Sequence, residues 1–276
     1  MKRFLMGWII ILLTAAACCF TGGELQEIPA ATPETLPTAT VTAESSSEAF
    51  CRELLPDETN AAITEWNEPH IICAPAEANQ QGTLFVFLPG TGATPDYYTY
   101  LMQAAGESGL HAIALRYPND RSVNLQICPW DFDNDCHEKT RQETLTGQDT
   151  SNNVTVNVDN SIERRLLSAL TTLAADAPQE GWNQFLENGV VRWESIVVAG
   201  HSQGGGHAVY LAYQHHVERA IAFAWADVRR GELAGWLTEE VSQTPPDSYY
   251  LFWHEGDEQV AKFQPALMEA LGIDIF

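Results

Sequence analysis

The stretch Ile196–Gln214, IVVAGHSQGGGHAVYLAYQ, decides how the rest of the chain is read. Its first four residues are a short continuous run of apolar and β-branched side chains, as expected of a strand buried on both faces. Gly200-His201-Ser202-Gln203-Gly204 follows as a G-x-S-x-G turn, and a helix is predicted from there to about His215. Strand, sharp turn and helix form the context in which such a serine is strained and exposed at the end of a sheet. Glycines on either side let neighbouring backbone pass closely. The following helix aims its first N–H groups and the positive end of its dipole at a carbonyl reacting there. Ser202 is therefore read as a nucleophile. The competing reading is a capped helix start, with Ser202 merely bonding backbone N–H groups.

Working outward, strands and helices alternate. Thr83–Leu88 (TLFVFL) reads as a buried strand that ends in Pro89-Gly90-Thr91-Gly92, with a helix expected over Asp96–Glu107. His111–Arg116 is the next strand. Ser161–Ala175 carries apolar residues at Ile162, Leu166, Leu167, Leu170 and Leu173, the spacing of an amphipathic helix. Arg219–Trp225 and Tyr249–Trp253 are further strands, and Val260–Leu271 is mostly helical despite Pro265. This alternation predicts an α/β protein with a mostly parallel central sheet flanked by helices. The polar stretch from Tyr117 to about Asp159 is too long for an ordinary connection and is expected to cover or flank the site.

With GHSQGG in a strand–turn–helix setting and LPGTG (Leu88–Gly92) after an earlier strand, the chain resembles the α/β-hydrolase superfamily, specifically its exported esterase and lipase-like members. The resemblance covers roughly Thr83–Leu271. It implies two oxyanion donors, the backbone N–H groups of Thr91 and Gln203; the alternative for LPGTG is an ordinary Pro-Gly turn. It also implies the chain order serine, acid, histidine. Asp257, in the turn after Tyr249–Trp253, is the expected acid, with Glu258 and Asp227 as alternatives. The family's histidine lies in a loop beyond one further strand, whereas no histidine follows His254. The expectation is thus a hydrolase fold lacking its final strand and helix, truncated before the base; the alternative is a base recruited from elsewhere, such as His137. The implied chemistry is hydrolysis of a carboxylic ester through an acyl-enzyme, and amidase or thioesterase chemistry uses the same parts. The substrate would be a small or lipid-like ester, and no cofactor is implied. A hydrolase fold without turnover, used as a binding or tethered surface module, is the rival.

The remaining sequence bounds the setting. The chain has 276 residues, and its 45% hydrophobic content fits one domain with a sizeable core plus non-globular sequence. A net charge of −23 disfavours nucleic acid and anionic lipid as partners, and a monomer is expected. Lys2 and Arg3, the apolar run Phe4–Leu13 and Ala15–Ala17 read as a secretory signal over residues 1–19. Cys18 after small residues resembles a lipoprotein signal, although Ala15 stands where Leu is preferred; lipidation there would tether the protein to a membrane. Residues 20–49, rich in Thr, Pro, Ala, Ser and Glu, read as a disordered tether ahead of the folded domain at 50–276. The protein is thus expected to be exported: secreted, periplasmic or lipid-anchored. Cys51, Cys73, Cys128 and Cys136 remain for disulfides with three connectivities, of which the local pairs Cys51–Cys73 and Cys128–Cys136 are preferred. Asp131, Asp133 and Asp135 are spaced like a calcium loop, but Cys136 stands where such a loop needs glycine, so an acidic surface loop pinned by a disulfide is expected.

Overall fold

The computed structural model describes residues 49–76 and 80–273. The secretory signal and nearly all of the tether lie outside these residues. The folded part is built on a seven-stranded sheet: β1 (Phe50–Leu54), β2 (His70–Ala74), β3 (Leu84–Leu88), β4 (His111–Ala114), β5 (Ile196–His201), β6 (Arg219–Phe223) and β7 (Tyr249–Phe252), in the order β1-β2-β4-β3-β5-β6-β7. β4, β3, β5, β6 and β7 run parallel, while β1 and β2 pair antiparallel to each other and β2 antiparallel to β4. This is the α/β class, with a mostly parallel sheet between helices.

The side-chain period of a strand explains why the central strands read as unbroken apolar runs. Leu84, Val86 and Leu88 of β3 face one layer of core, with Ile196 and Val198 of β5 beside them. Phe85 and Phe87, with Val197 and Ala199, face the other. On that second face Met102 and Ala105 of α1 (Thr99–Glu107) close the core. On the first face lie α3 (Ile162–Asp176), through Leu166, Leu170 and Leu173, and α4 (Gln203–Gln214). Ser161 caps α3 by accepting the Arg164 N–H. A seven-residue helix, α5 (Gln264–Ala270), packs Leu267 against the first core.

Two features depart from the sequence reading. In the pair β1–β2 the first strand mixes charged with apolar residues, so it escapes a pattern search; the pair is held at Cys51 and Cys73, which face each other in register and form a disulfide. The long polar stretch after β4 contains a helix, α2 (Cys136–Thr146), whose buried residues include Thr140, Arg141, Glu143 and Thr144. A helix that buries polar groups shows no apolar stripe. Cys128–Cys136 is the second disulfide and joins the start of α2 to the turn before it. Both local pairings are thus formed as expected.

Asp131, Asp133 and Asp135 build a surface turn into α2. Asp131 and Asp133 accept the backbone N–H groups of Asp133 and Asp135 at 2.9 and 3.0 Å, and Lys139 pairs with Asp133 at 2.6 Å. Among the described residues no cluster is arranged to hold a metal ion.

Several histidines are buried in this fold. Burial, reinforced by the nearby Arg165 and Arg116 charges, pushes His70 down to about 3 from its ordinary 6.5. Burial likewise lowers His111, His137 and His207. The unfolded chain therefore takes up protons that the folded one refuses. Stability is full above pH 6.5 and falls as pH drops below it, with the His70 contribution still declining toward pH 3. Thermal unfolding followed from neutral pH down to mildly acid pH is expected to show a steadily falling midpoint, and a flat profile would contradict these neutral buried imidazoles.

Candidate active site

The carboxyl ends of β3, β4, β5, β6 and β7 share one edge of the sheet because these strands are parallel. β5 ends at His201, and Ser202 turns the chain directly into α4 with φ 53° and ψ −118°. A non-glycine residue in that region is strained and must be held by its surroundings. Here the Ser202 N–H donates to Phe223 O of β6 at 2.7 Å, and Ser202 O accepts from the Gly206 N–H at 3.3 Å. At Gly204 a Cβ would lie 2.0 Å from Leu88 O, so only glycine lets α4 start this close to the end of β3.

The turn after β3 is built from the other side. Asn119 is buried and donates through Nδ2 to Gly90 O at 2.7 Å and Ala93 O at 2.9 Å. Asn119 O accepts the Gly92 N–H at 2.8 Å. The Tyr117 hydroxyl donates to Pro89 O at 2.6 Å, and Arg116 Nη1 holds the Tyr117 carbonyl at 2.8 Å. Thr91 and Gln203 are brought together: Thr91 Oγ1 donates to Gln203 Oε1 at 3.2 Å, and the Val123 N–H donates to the same oxygen at 3.0 Å. Among the described residues, neither the Thr91 nor the Gln203 backbone N–H has a protein acceptor. Unpaired backbone donors of this kind can hold a developing oxyanion where they converge on a nucleophile.

Ser202 opens into a groove of about 320 Å³. Val123, Asn124 and Leu125 form one wall, Trp225 and Ala226 a second, and Val260 and Phe263 a third. Asp257 stands in the turn after β7, where its N–H donates to His254 O at 2.9 Å and its carbonyl starts the single helical turn Glu258–Ala261. Among the described residues its carboxylate accepts no side-chain or backbone donor, and its charge reaches His201. Glu258 is exposed on that helical turn.

The other acid candidate, Asp227, is ruled out by its partners. It is fully buried, and its carboxylate accepts Arg141 Nε and Nη2 at 2.5 Å each, Trp225 Nε1 at 2.9 Å, Trp236 Nε1 at 3.3 Å and Asn124 Nδ2 at 3.4 Å. Five donors exceed the roughly four lone-pair sites of a carboxylate, so none is left for an imidazole. Burial alone would raise Asp227, but the Arg141 charge and hydrogen bonds hold it well below the usual carboxylate range.

The histidines stand away from the groove. His137, the candidate for a base recruited from elsewhere, is buried with Nε2 at 2.7 Å from Asn124 Oδ1 and does not line the groove. His207 is buried edge-on to Tyr117. His201 rests with Nδ1 3.2 Å from the Tyr98 hydroxyl, and partial burial lowers it. His254 accepts the Gly256 N–H within its own turn at 3.0 Å. Among the described residues no histidine lines the groove at Ser202.

Tyr117, Asn119 and Asn124 escaped the sequence reading. The only signal was their position just after a predicted strand end, where polar residues are ordinary. Asn119→Ala would leave the Gly90 and Ala93 carbonyls and Arg116 short of partners, at a cost of about 3 kcal/mol. Denaturant unfolding is expected to show that loss, together with faster amide exchange over residues 90–93; unchanged exchange there would mean that Asn119 does not hold the turn.

No protein-family model matches the chain, and no curated protein matches it either.

Proposed function

We propose that the chain is a serine hydrolase of the α/β-hydrolase type, acting on a carboxylic ester through an acyl-enzyme at Ser202. The observation that carries this reading is the backbone of Ser202. A serine at φ 53° is held at a strand end over an open groove, and the backbone N–H groups of Gln203, which follows it, and of Thr91, whose hydroxyl bonds the Gln203 side chain, have no protein acceptor. Strain at a hydroxyl-bearing residue is most simply explained by a need to present that hydroxyl.

In this mechanism Ser202 Oγ attacks the ester carbonyl while its proton passes to a histidine that Asp257 would hold, the one member of the mechanism that none of the described residues supplies. The Thr91 and Gln203 N–H groups carry the oxyanion, each contributing about 3 kcal/mol of transition-state stabilisation. The imidazolium returns the proton to the departing alcohol, and water attacks the acyl-enzyme with the same histidine as base. The apolar walls at Val123, Leu125, Trp225 and Phe263 suit a small or lipid-like ester. Amides and thioesters are open to the same chemistry. The two disulfides are compatible with an exported protein, secreted, periplasmic or lipid-anchored at Cys18. No helix of the described residues is long and apolar enough to cross a membrane. The charge of −23 argues against nucleic acid as a partner, and we take the protein to act as a monomer.

One observation favours a second reading, a hydrolase-like surface module without turnover: no histidine of the described residues lines the groove. Hydrolysis of p-nitrophenyl acetate and butyrate by the full-length protein separates the two. Turnover is expected, with Ser202→Ala reducing kcat by about 10⁶-fold. Wild type and Ser202→Ala equally inert would leave the surface module as the function.

A further inference from the structure

Arg141 and Asp227 are the most heavily protected charged groups near the groove, and both side chains are fully buried. Burying two ions costs several kcal/mol each, and an apolar pair of similar volume is often as stable or more so. The pair's own attraction therefore does not explain why two charges sit in this core, and their surroundings point to a further role.

The guanidinium of Arg141 forks onto Asp227 with Nε and Nη2, and its third nitrogen, Nη1, donates to Gln203 O at 3.3 Å. It lies flush against the first turn of α4: a Cβ on Gly206 would sit 2.0 Å from Arg141 Nη2, so glycine at this position makes room for the fork. From Asp227 the network continues into the groove. Asn124 Nδ2 reaches Asp227 and donates to Ala226 O at 2.6 Å. Asn124 Oδ1 accepts His137 Nε2 at 2.7 Å and the Val228 N–H at 3.3 Å. Asn124, Ala226 and Val228 are groove walls, and Gln203 is its floor beside Ser202. One planar ion pair thus fixes the distance between the oxyanion-side residue and two walls, from α2 behind them.

We propose that Arg141 and Asp227 are positioning residues for the Ser202 site, setting Gln203 against the groove so that its N–H meets the developing oxyanion. Neither touches the substrate. This rests on the hydrolase reading above. Because ground-state binding depends on the apolar walls and oxyanion capture on the placement of Gln203, loss of the fork lowers kcat and leaves KM nearly alone.

The test is steady-state hydrolysis of p-nitrophenyl acetate by the full-length protein, with thermal unfolding alongside. The double variant Arg141→Met/Asp227→Leu removes both charges together and is expected to stay folded with a lowered midpoint, because the Trp225 and Trp236 indoles and Asn124 lose their acceptor. Its kcat is expected to fall by about 10²-fold, as for a misplacement of the order of 1 Å, with KM within about twofold of wild type. Arg141→Lys keeps the charge but not the fork and is expected to show the same split. If the double variant does not fold, Arg141→Lys decides by the same criterion. A folded variant with wild-type kcat, or one whose loss lies in KM, overturns the positioning role while leaving the hydrolase reading intact. A wild type without ester turnover overturns that reading and this one with it.

Discussion

Ser202 can keep its left-handed backbone only because three neighbours hold it. β6 accepts its N–H through Phe223 O, α4 returns a hydrogen bond to its carbonyl, and Gly204 lets α4 begin against the end of β3. A strained serine of this kind costs about 1–3 kcal/mol and persists only where the surroundings over-determine it. The parallel sheet supplies that over-determination. β3, β5 and β6 are buried neighbours in fixed register, so the turn after β3 and the turn after β5 cannot drift apart.

The polar segment after β4 then works on this frame from above. Its backbone and side chains, at Tyr117, Asn119, Val123 and Asn124, carry the contacts that shape the turn at Gly90–Gly92, hold the Gln203 side chain and form a groove wall. The Cys128–Cys136 disulfide ties the start of α2 to the preceding turn, and Arg141 projects from α2 into the elbow. The segment has only a small apolar cluster of its own, around Val123, Ile127 and the disulfide, and is otherwise ordered by hydrogen bonds and one buried ion pair. That order is directional: hydrogen bonds fix atoms to within tenths of an ångström where apolar contact tolerates sliding.

Which parts were legible in the sequence follows from the kind of force that holds them. β3, β4, β5, β6 and β7 and the helix after Ser202 are held by burial, and burial writes itself as apolar runs and periodicity. The elbow is held by close backbone approach, which shows as glycines at 200 and 204. The paired cysteines were legible because each pair is local in the sequence. β1 was not, since charged Arg52 and Glu53 interrupt a half-exposed strand, and β2, although buried throughout, offers only Ile71 and Ile72 as β-branched residues. α2 was hidden because it turns Thr140, Arg141 and Glu143 inward. Arg141 and Asp227 lie 86 residues apart, and no local pattern joins them. That distance also explains why Asp227 stood as an acid candidate: in sequence it is a loop carboxylate after a strand, and only the fold gives it its arginine.

The central claim is that Ser202 is a nucleophile rather than a helix cap. It is tested most directly by treating the full-length protein with a fluorophosphonate and locating the adduct by peptide mass spectrometry. A serine hydroxyl activated by a general base, with N–H donors to take the developing negative charge, reacts where an ordinary surface serine does not. The hydrolase reading predicts a single phosphonyl adduct, on the peptide that carries Ser202, and none in Ser202→Ala. An unmodified Ser202, or an adduct at another residue, would contradict it.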